Sequence, residues 1–249
     1  MSWPGIAALA GALADLVLPR TCAGCGIPGR ALCDRCALLL ARPRPAAPRR
    51  FPWGFPPTVA AGAYAGPVRP AVLAFKERGR SELAVPLGAA LALSVAALLA
   101  AVPGPPMPVA LVPVPSSREA LRSRGRDHVR ELTARAVVEL RAAGVPASEF
   151  RLLTRRGRVR DSAGLSAAQR RANLAGTFVQ VARRPSGLLV LVDDVVTSGA
   201  TLTEAAVVLA ADGRPDDPPV LAAVVAATPR ERPRATPRCG ARPPVDQLS

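Results

Sequence analysis

An apolar run that ends in two carboxylates, within residues 188–205, constrains the fold of this chain more than any other stretch. Leucine and valine fill positions 188–192, and Asp193 and Asp194 follow directly. A short, fully apolar run is typical of a strand buried on both faces of a parallel sheet, and the two acids predict its carboxyl end. The stretch therefore predicts an α/β fold in which this strand is central.

A loop of small residues separates this strand from an alanine-rich helical pattern. Its residues are Thr197, Ser198, Gly199, Ala200 and Thr201. A helix that begins after such a loop points free backbone N–H groups and the positive end of its dipole at an anion. A glycine lets the backbone approach a ligand without a Cβ atom in the way. The loop is therefore predicted to bind phosphate.

The two aspartates restrict which phosphate compound can bind there. Asp193 and Asp194 would repel a phosphate, so they are predicted to contact sugar hydroxyls and a hydrated Mg²⁺ instead. The stretch resembles the signature of type I phosphoribosyltransferases. In that family the paired acids hold the ribose hydroxyls of phosphoribosyl diphosphate, and the following loop holds the 5-phosphate. The competing interpretation is an ordinary buried strand followed by a capped helix.

Two Cys-x-x-Cys pairs lie near the start of the chain. They consist of Cys22, Cys25, Cys33 and Cys36, whereas the fifth cysteine, Cys239, has no second cysteine nearby. Paired cysteines in a reducing compartment favour a metal over a disulfide. Four thiolates form a closed tetrahedral site, so the pattern predicts a structural Zn²⁺ in a small knuckle. A redox-active dithiol is the alternative.

A second polar loop follows the apolar residues 109–114. Ser116, Ser117 and Arg118 begin it, and hydroxyl and guanidinium donors of this kind are able to hold a diphosphate. His128 is the single histidine of the chain. Its position at the start of a helical pattern favours a structural role over a catalytic one.

The charge of the chain has two explanations. The formal net charge is +15, and every basic side chain except Lys76 and His128 is arginine. The abundance of arginine, alanine and proline indicates a compositional bias, although a basic surface attracts polyanions whatever its origin. The arginines at 118–130 and 155–160 predict a basic rim around the phosphate loop. Single-stranded DNA is therefore an expected partner.

No membrane span and no secretory signal are expected. Residues 85–102 are uncharged and nearly long enough to cross a bilayer, but they include Pro86, Gly88 and Ser94. A buried helix of a soluble domain is the better interpretation, and we expect a cytoplasmic protein.

Changes in composition divide the chain into four parts. These are an N-terminal helix and knuckle at 1–41, a Pro/Arg-rich linker at 42–57, the main domain at 58–228 and a disordered tail at 229–249. The linker aromatics either stack on bases or attach the linker to the domain. Within the main domain we expect a strand at 150–153 and a mobile loop at 155–171.

The whole pattern resembles the ComF family of competence-associated, phosphoribosyltransferase-like proteins, from about residue 13 to residue 228. Besides the knuckle, the matching motifs are Leu18-Pro-Arg-Thr-Cys22, Phe75-Lys76, Val112-Pro-Val-Pro115, Arg124-Gly125, Gly164-Leu-Ser166 and residues 190–202. The resemblance implies a type I phosphoribosyltransferase-like parallel sheet flanked by helices, a structural Zn²⁺, and Mg²⁺-dependent binding of a phosphoribosyl diphosphate-type ligand. It also implies a role in natural transformation beside the DNA-uptake proteins.

The chain departs from the pattern of these families at three places. Val159 and Ser162 stand where the mobile segment of the ComF family has Thr and Gln. Arg126-Asp127-His128 stand where the ComF family has an aromatic residue followed by Asn-Gln. Thr197 stands where purine-salvage relatives have a carboxylate that acts as a general base near the nucleobase. The departure at Thr197 argues against purine salvage.

Two functions remain open from the sequence. The first is a protein that binds a phosphoribosyl ligand without turnover and takes part in DNA uptake. The second is an active transferase of nucleotide metabolism, which displaces diphosphate from the anomeric carbon. In that case fixed charges and Mg²⁺ would stabilise the transition state, but no residue identifies the acceptor.

Overall fold

A mostly parallel, six-stranded sheet forms the centre of the structure. The computed structural model describes residues 20–48, 53–156, 176–214 and 217–229. The strands are β1 (Arg44–Pro45), β2 (Thr58–Ala63), β3 (Val109–Pro113), β4 (Ala147–Glu149), β5 (Leu153–Arg155), β6 (Phe178–Gln180), β7 (Leu188–Val196) and β8 (Leu221–Ala227). The sheet order is β1-β2-β8-β7-β3-β4, and β5 and β6 form a separate antiparallel ribbon. All neighbours in the large sheet are parallel except β1 and β2.

Helices cover both faces of this sheet. They are α1 (Asp34–Leu38), α2 (Val68–Glu77), α3 (Ala84–Ala101), α4 (Arg118–Arg124), α5 (His128–Ala142) and α6 (Ala200–Ala210). Side chains of α2, α3 and α5 pack with one face of the strands in a first hydrophobic core, and α6 packs with the other face in a second core. The strands between the two layers are accordingly apolar throughout, and residues 188–192 of β7 are all buried.

The order of the strands creates a crevice between β3 and β7. These two strands pair in parallel, with Val109 opposite Leu188 and Pro113 opposite Val192, so their carboxyl ends lie side by side. The chain leaves β3 outward to β4, but it leaves β7 in the opposite direction to β8. In open α/β sheets, ligands bind at the carboxyl ends of the strands where the order reverses in this way. This topology directs attention to the loops after β3 and β7.

The central strand is longer than the sequence predicts. Instead of ending before the acids, β7 continues through Asp193 and Asp194 to Val196. The reason is the neighbouring strand, because β8 continues the ladder as far as the pair Val196 and Ala227. The apolar pattern marks where a strand is buried, whereas hydrogen bonding to a neighbour decides where it ends.

The predicted strand at 150–153 is wrong. Residues 150–152 connect β4 to β5, and only Leu153 belongs to a strand. The chain leaves the large sheet after Glu149 and joins the ribbon at Leu153, so its hydrogen-bond partners change within this stretch. Most of the loop expected at 155–171, the N-terminal helix and most of the tail lie outside the described residues.

One helical stretch among the described residues, Ser81–Ala101, is long and apolar enough to cross a membrane by length and composition. Half of its most apolar stretch is buried inside the protein, and α3 packs against α5, β2 and β8. Two small residues permit this packing. A Cβ atom at Gly88 would lie 2.5 Å from the Cβ of Arg135, and the Ser94 hydroxyl donates to the Val224 carbonyl at 3.0 Å. The burial is that expected for a core helix.

Candidate functional site

The four cysteines of the two pairs come together in one cluster. The sulfur atoms of Cys22, Cys25, Cys33 and Cys36 all lie within 4.8 Å of one another, and those of Cys25 and Cys33 are 3.6 Å apart. Sulfur atoms around a tetrahedral Zn²⁺ lie ~3.8 Å apart, because each Zn–S bond is about 2.3 Å long. The cluster therefore fits a metal ion, as the spacing predicts.

The electrostatics of the cluster also favour a bound cation. Burial opposes ionisation of Cys22, but backbone N–H groups stabilise its thiolate and lower its pKa to about 6. One of them is that of Cys33, which donates to the Cys22 sulfur at 3.3 Å. Burial and the neighbouring thiols raise the pKa of Cys36. The four sulfurs can ionise together when a cation compensates their charge, which is the role of a structural Zn²⁺.

The knuckle is packed into the main domain. Cys22, Leu32, Cys36 and Leu40 belong to the first hydrophobic core, together with residues of α2 and α3. Gly24 permits the close contact, because a Cβ atom there would lie 2.9 Å from both the Cys36 sulfur and the Pro67 carbonyl oxygen. Metal binding is therefore expected to stabilise the whole domain.

The predicted phosphate loop is short and precedes a helix without a side-chain cap. α6 begins at Ala200, and Gly199 stands at its N-cap position with φ of 76°, where no side chain caps the helix. The Ala200 N–H lies 3.5 Å from the Ser198 hydroxyl oxygen. Thr197 is exposed and Thr201 is half-buried. The loop thus offers backbone N–H groups and hydroxyls at the carboxyl edge of β7.

Gly199 is required for a reason that the sequence did not reveal. A Cβ atom at this position would lie 2.8 Å from ring atoms of Phe55 and 3.0 Å from Pro48. The segment predicted as a linker therefore packs directly against Gly199, so the space left by the missing Cβ is filled by the protein itself. Phe55 attaches it there and contacts the second core, whereas Trp53 is 99% exposed. Part of the same segment, Arg44–Pro45, is the edge strand β1.

The loop after β3 follows the strand that neighbours β7, and its serines already have partners. Ser117 caps α4 by accepting from the Ala120 N–H at 3.1 Å. The Ser116 hydroxyl lies 3.5 Å from a carboxylate oxygen of Asp127. Arg118 is exposed. Both serine hydroxyls remain close to the crevice, with Ser117 at the N-terminus of a helix.

The two aspartates have very different surroundings. Asp194 is 3% exposed, and one of its oxygens accepts from the Val195 N–H at 2.9 Å. Its other oxygen lies 2.9 Å from the Lys76 ammonium and 3.4 Å from Nε2 of His128. Burial opposes ionisation, but His128 and Lys76 more than offset it and hold the pKa of Asp194 below its usual range.

Asp193 is half-buried and has no ion-pair partner among the described residues. One of its oxygens accepts from the Asp194 N–H at 2.9 Å. Burial and the adjacent Asp194 charge raise its pKa to about 8. Arg155 of the ribbon, which lies 5.1 Å from the Phe178 ring centre, is close enough for Asp193 to stabilise its charge. Asp193 is thus the acid that is available to a ligand.

Several of the predicted rim arginines are already paired. Arg124 makes two hydrogen bonds to Glu77, at 2.8 and 2.9 Å. Arg126 pairs with Glu131 and lies 4.3 Å from the Phe75 ring centre. Arg130 pairs with Glu149 as well. Among the described residues of this rim, Arg118, Arg122 and Arg156 are exposed and have no ion-pair partner.

The sequence did not assign Lys76 or His128 to the site. His128 begins α5, as predicted, but it also contacts Asp194. Lys76 belongs to the Phe75-Lys76 motif and is the sole lysine in an arginine-rich chain, a signal that could have identified it. The contact itself joins residues 118 positions apart, which no local pattern predicts.

Comparison with known proteins does not identify the chain. It matches no protein-family model, and no curated protein matches it.

Zinc content tests the cysteine cluster. We expect one Zn²⁺ per chain, and Cys33→Ser should lose it because three thiolates cannot close the site. Cys239→Ser is the matched control and should keep the metal. A chelator should lower the melting temperature of the wild-type domain, because the knuckle belongs to its core. Zinc-free protein from purification without chelator would contradict the assignment.

The two aspartates should affect stability in opposite directions. The folded protein keeps the Asp193 proton up to a pH of about 8, whereas the unfolded chain releases it near pH ~4. The free energy of unfolding therefore falls as the pH rises through this window. Asparagine cannot ionise, so the Asp193→Asn variant does not lose this stability. The free energy of unfolding of the variant, minus that of wild type, should therefore increase by roughly 1–3 kcal/mol between pH ~5 and pH ~8.

Asp194→Asn provides the contrast. The lowered pKa of Asp194 stabilises the fold above the unfolded value of ~4, so the ionised form contributes at both pH values. The variant should be less stable than wild type at each of them. Urea unfolding in metal-free buffer measures both effects. If the free energy of unfolding changed with pH equally in wild type and Asp193→Asn, the raised pKa of Asp193 would be contradicted.

Proposed function

We propose that this chain is a ComF-like protein of the type I phosphoribosyltransferase fold, which binds a phosphoribosyl diphosphate-type ligand with Mg²⁺. The observation that supports this most directly is the crevice between β3 and β7. It unites a phosphate loop at a helix start, a second hydroxyl loop and an available carboxylate. Such a combination suits a ligand with two phosphate groups joined by a sugar.

In this proposal residues 197–201 bind the 5-phosphate. Ser116, Ser117 and Arg118 take the diphosphate at the neighbouring strand end. Asp193 addresses the ribose hydroxyls, because its carboxylate is the more accessible of the pair. The sequence resemblance supports the same division of the ligand, since it rests on these loops.

The donor set at the crevice also suits Mg²⁺. This ion prefers carboxylate oxygens together with water and phosphate oxygens, and it rarely uses a site built entirely from protein. Asp193 would supply one such carboxylate once the cation displaces its proton, and the ligand would supply the phosphates. When bound, Mg²⁺ would neutralise charge that develops on a departing diphosphate. Asp194 is less suited to bind it, because Lys76 and His128 occupy one of its oxygens.

Turnover is the alternative to simple binding. In an active transferase, diphosphate would leave the anomeric carbon as an acceptor attacks it. The residues of the crevice would orient the ligand and stabilise the leaving group. Thr197 offers no general base near the acceptor, so the acceptor would have to be nucleophilic by itself.

Ligand binding tests the proposal. Calorimetry should detect binding of phosphoribosyl diphosphate that depends on Mg²⁺. Asp193→Asn should weaken it by roughly ten-fold or more, the equivalent of one charge-assisted contact. Asp212→Asn, an exposed aspartate beyond the end of α6, is the matched control. Equal affinities for the three proteins would refute the assignment, and diphosphate release over candidate bases would establish turnover.

The proposed association with DNA uptake depends on the sequence resemblance and on the unpaired arginines. If the rim binds single-stranded DNA, replacing Arg118 and Arg122 together by Gln should weaken binding and reduce its salt dependence. The control replaces two tail arginines, Arg232 and Arg234, in the same way. Fluorescence anisotropy with a labelled oligonucleotide measures both. Equal losses would mean that the charge acts only through composition.

A further inference from the structure

The side chain of Lys76 places a partly exposed ammonium group beside the crevice. It lies near the end of α2, and its ammonium is 2.9 Å from Asp194 of β7. The side chain is 29% exposed, whereas that of Asp194 is 4% exposed. The ion pair is therefore buried on the carboxylate side and open on the lysine side. An ammonium group has three donors, so one partner leaves capacity for another.

The ammonium is a permanent cation and not a nucleophile. Burial favours the neutral amine, but Asp194 and Asp193 more than offset this effect and raise the pKa of Lys76. A protonated amine cannot attack a carbonyl or form a Schiff base. The group can, however, bind an anion through charge and hydrogen bonds.

Asp194 holds the ammonium in place, and His128 contacts the same carboxylate oxygen of Asp194. Asp194 contacts the Val195 N–H, the Lys76 ammonium and the His128 ring. The His128 ring in turn meets the Phe75 ring edge-on, with 6.3 Å between the ring centres. An ionised carboxylate with such surroundings has little capacity left for a ligand. Its effect is to fix one end of a flexible lysine side chain.

The neighbouring arginines do not compete for the same role. Arg124, which lies close enough to Lys76 to disfavour its charge, is bound to Glu77 by two hydrogen bonds. Arg126 is bound to Glu131 and to the Phe75 carbonyl. These pairs neutralise both arginines, so among these three cations Lys76 is the one that pairs with β7.

We propose that Lys76 binds the diphosphate group of the ligand, and that Asp194 and His128 are positioning residues that hold its ammonium at the crevice. This inference rests on the phosphoribosyl diphosphate-type ligand proposed above. It assigns the two aspartates to different tasks, with Asp193 toward the ribose and Asp194 beneath the lysine.

Binding of two partial ligands tests the role of Lys76. Lys76→Gln should weaken binding of inorganic diphosphate with Mg²⁺ by roughly ten-fold or more, and it should leave ribose 5-phosphate affinity unchanged. Lys76→Arg should retain part of the diphosphate affinity. Arg78→Gln removes an exposed charge from the same end of α2 and should behave as wild type. Unchanged diphosphate affinity in Lys76→Gln would overturn the inference.

Chemical labelling tests the positioning residues without relying on ligand binding. Lys76 is the sole lysine, so peptide mapping after treatment with an amine-acylating reagent reports on it alone. Asp194→Asn should accelerate its acylation, because loss of the carboxylate favours the reactive neutral amine. His128→Gln, the milder variant, should accelerate it less. Unaltered rates in both variants would overturn the positioning role, and an Asp194→Asn protein that does not fold leaves His128→Gln to decide.

The two assays separate the possible failures. If wild-type protein binds none of the three ligands, the proposed function fails. If it binds phosphoribosyl diphosphate and Lys76→Gln binds it equally well, the proposed function stands and this inference fails. Protection of Lys76 from acylation by diphosphate, but not by ribose 5-phosphate, would support both.

Discussion

Burial of an ionised carboxylate at the edge of the central sheet is the constraint on which the rest of the site depends. Asp194 is 3% exposed, and an unmatched charge in such a place would cost several kcal/mol. Lys76 from α2 provides the matching charge, and His128 from α5 contacts the same carboxylate oxygen. Because these helices come from separate parts of the chain, one contact orients α2, α5 and β7 relative to one another.

The same contact makes two adjacent and chemically identical residues unequal. Successive side chains of a strand point to opposite faces, so Asp193 and Asp194 cannot share one environment once β7 extends beyond them. One acid is paired with the Lys76 ammonium. The other has a raised pKa and is free for a ligand. A pair of carboxylates in a sequence can therefore combine one residue that binds and one that supports.

The cysteine cluster shows a comparable dependence on packing. Its four sulfurs are arranged for a metal, but Leu32 and Leu40 between and after them also enter the core beside α2. The knuckle is thus part of the structure that supports the crevice, and α2 connects the two. Gly24 and Gly199 mark the places where an N-terminal segment approaches the main domain too closely for a side chain.

The sequence by itself determined the local features: the buried central strand, the cysteine cluster, the long apolar helix and the small-residue loop before α6. Each depends on periodicity or spacing within about twenty residues, where backbone geometry leaves few alternatives. Only the tertiary structure decided where β7 ends, that Arg124 and Arg126 are paired, and that Lys76 meets Asp194. Those outcomes depend on strand order and on charges far apart in the chain, and burial makes the choice of partner energetically decisive.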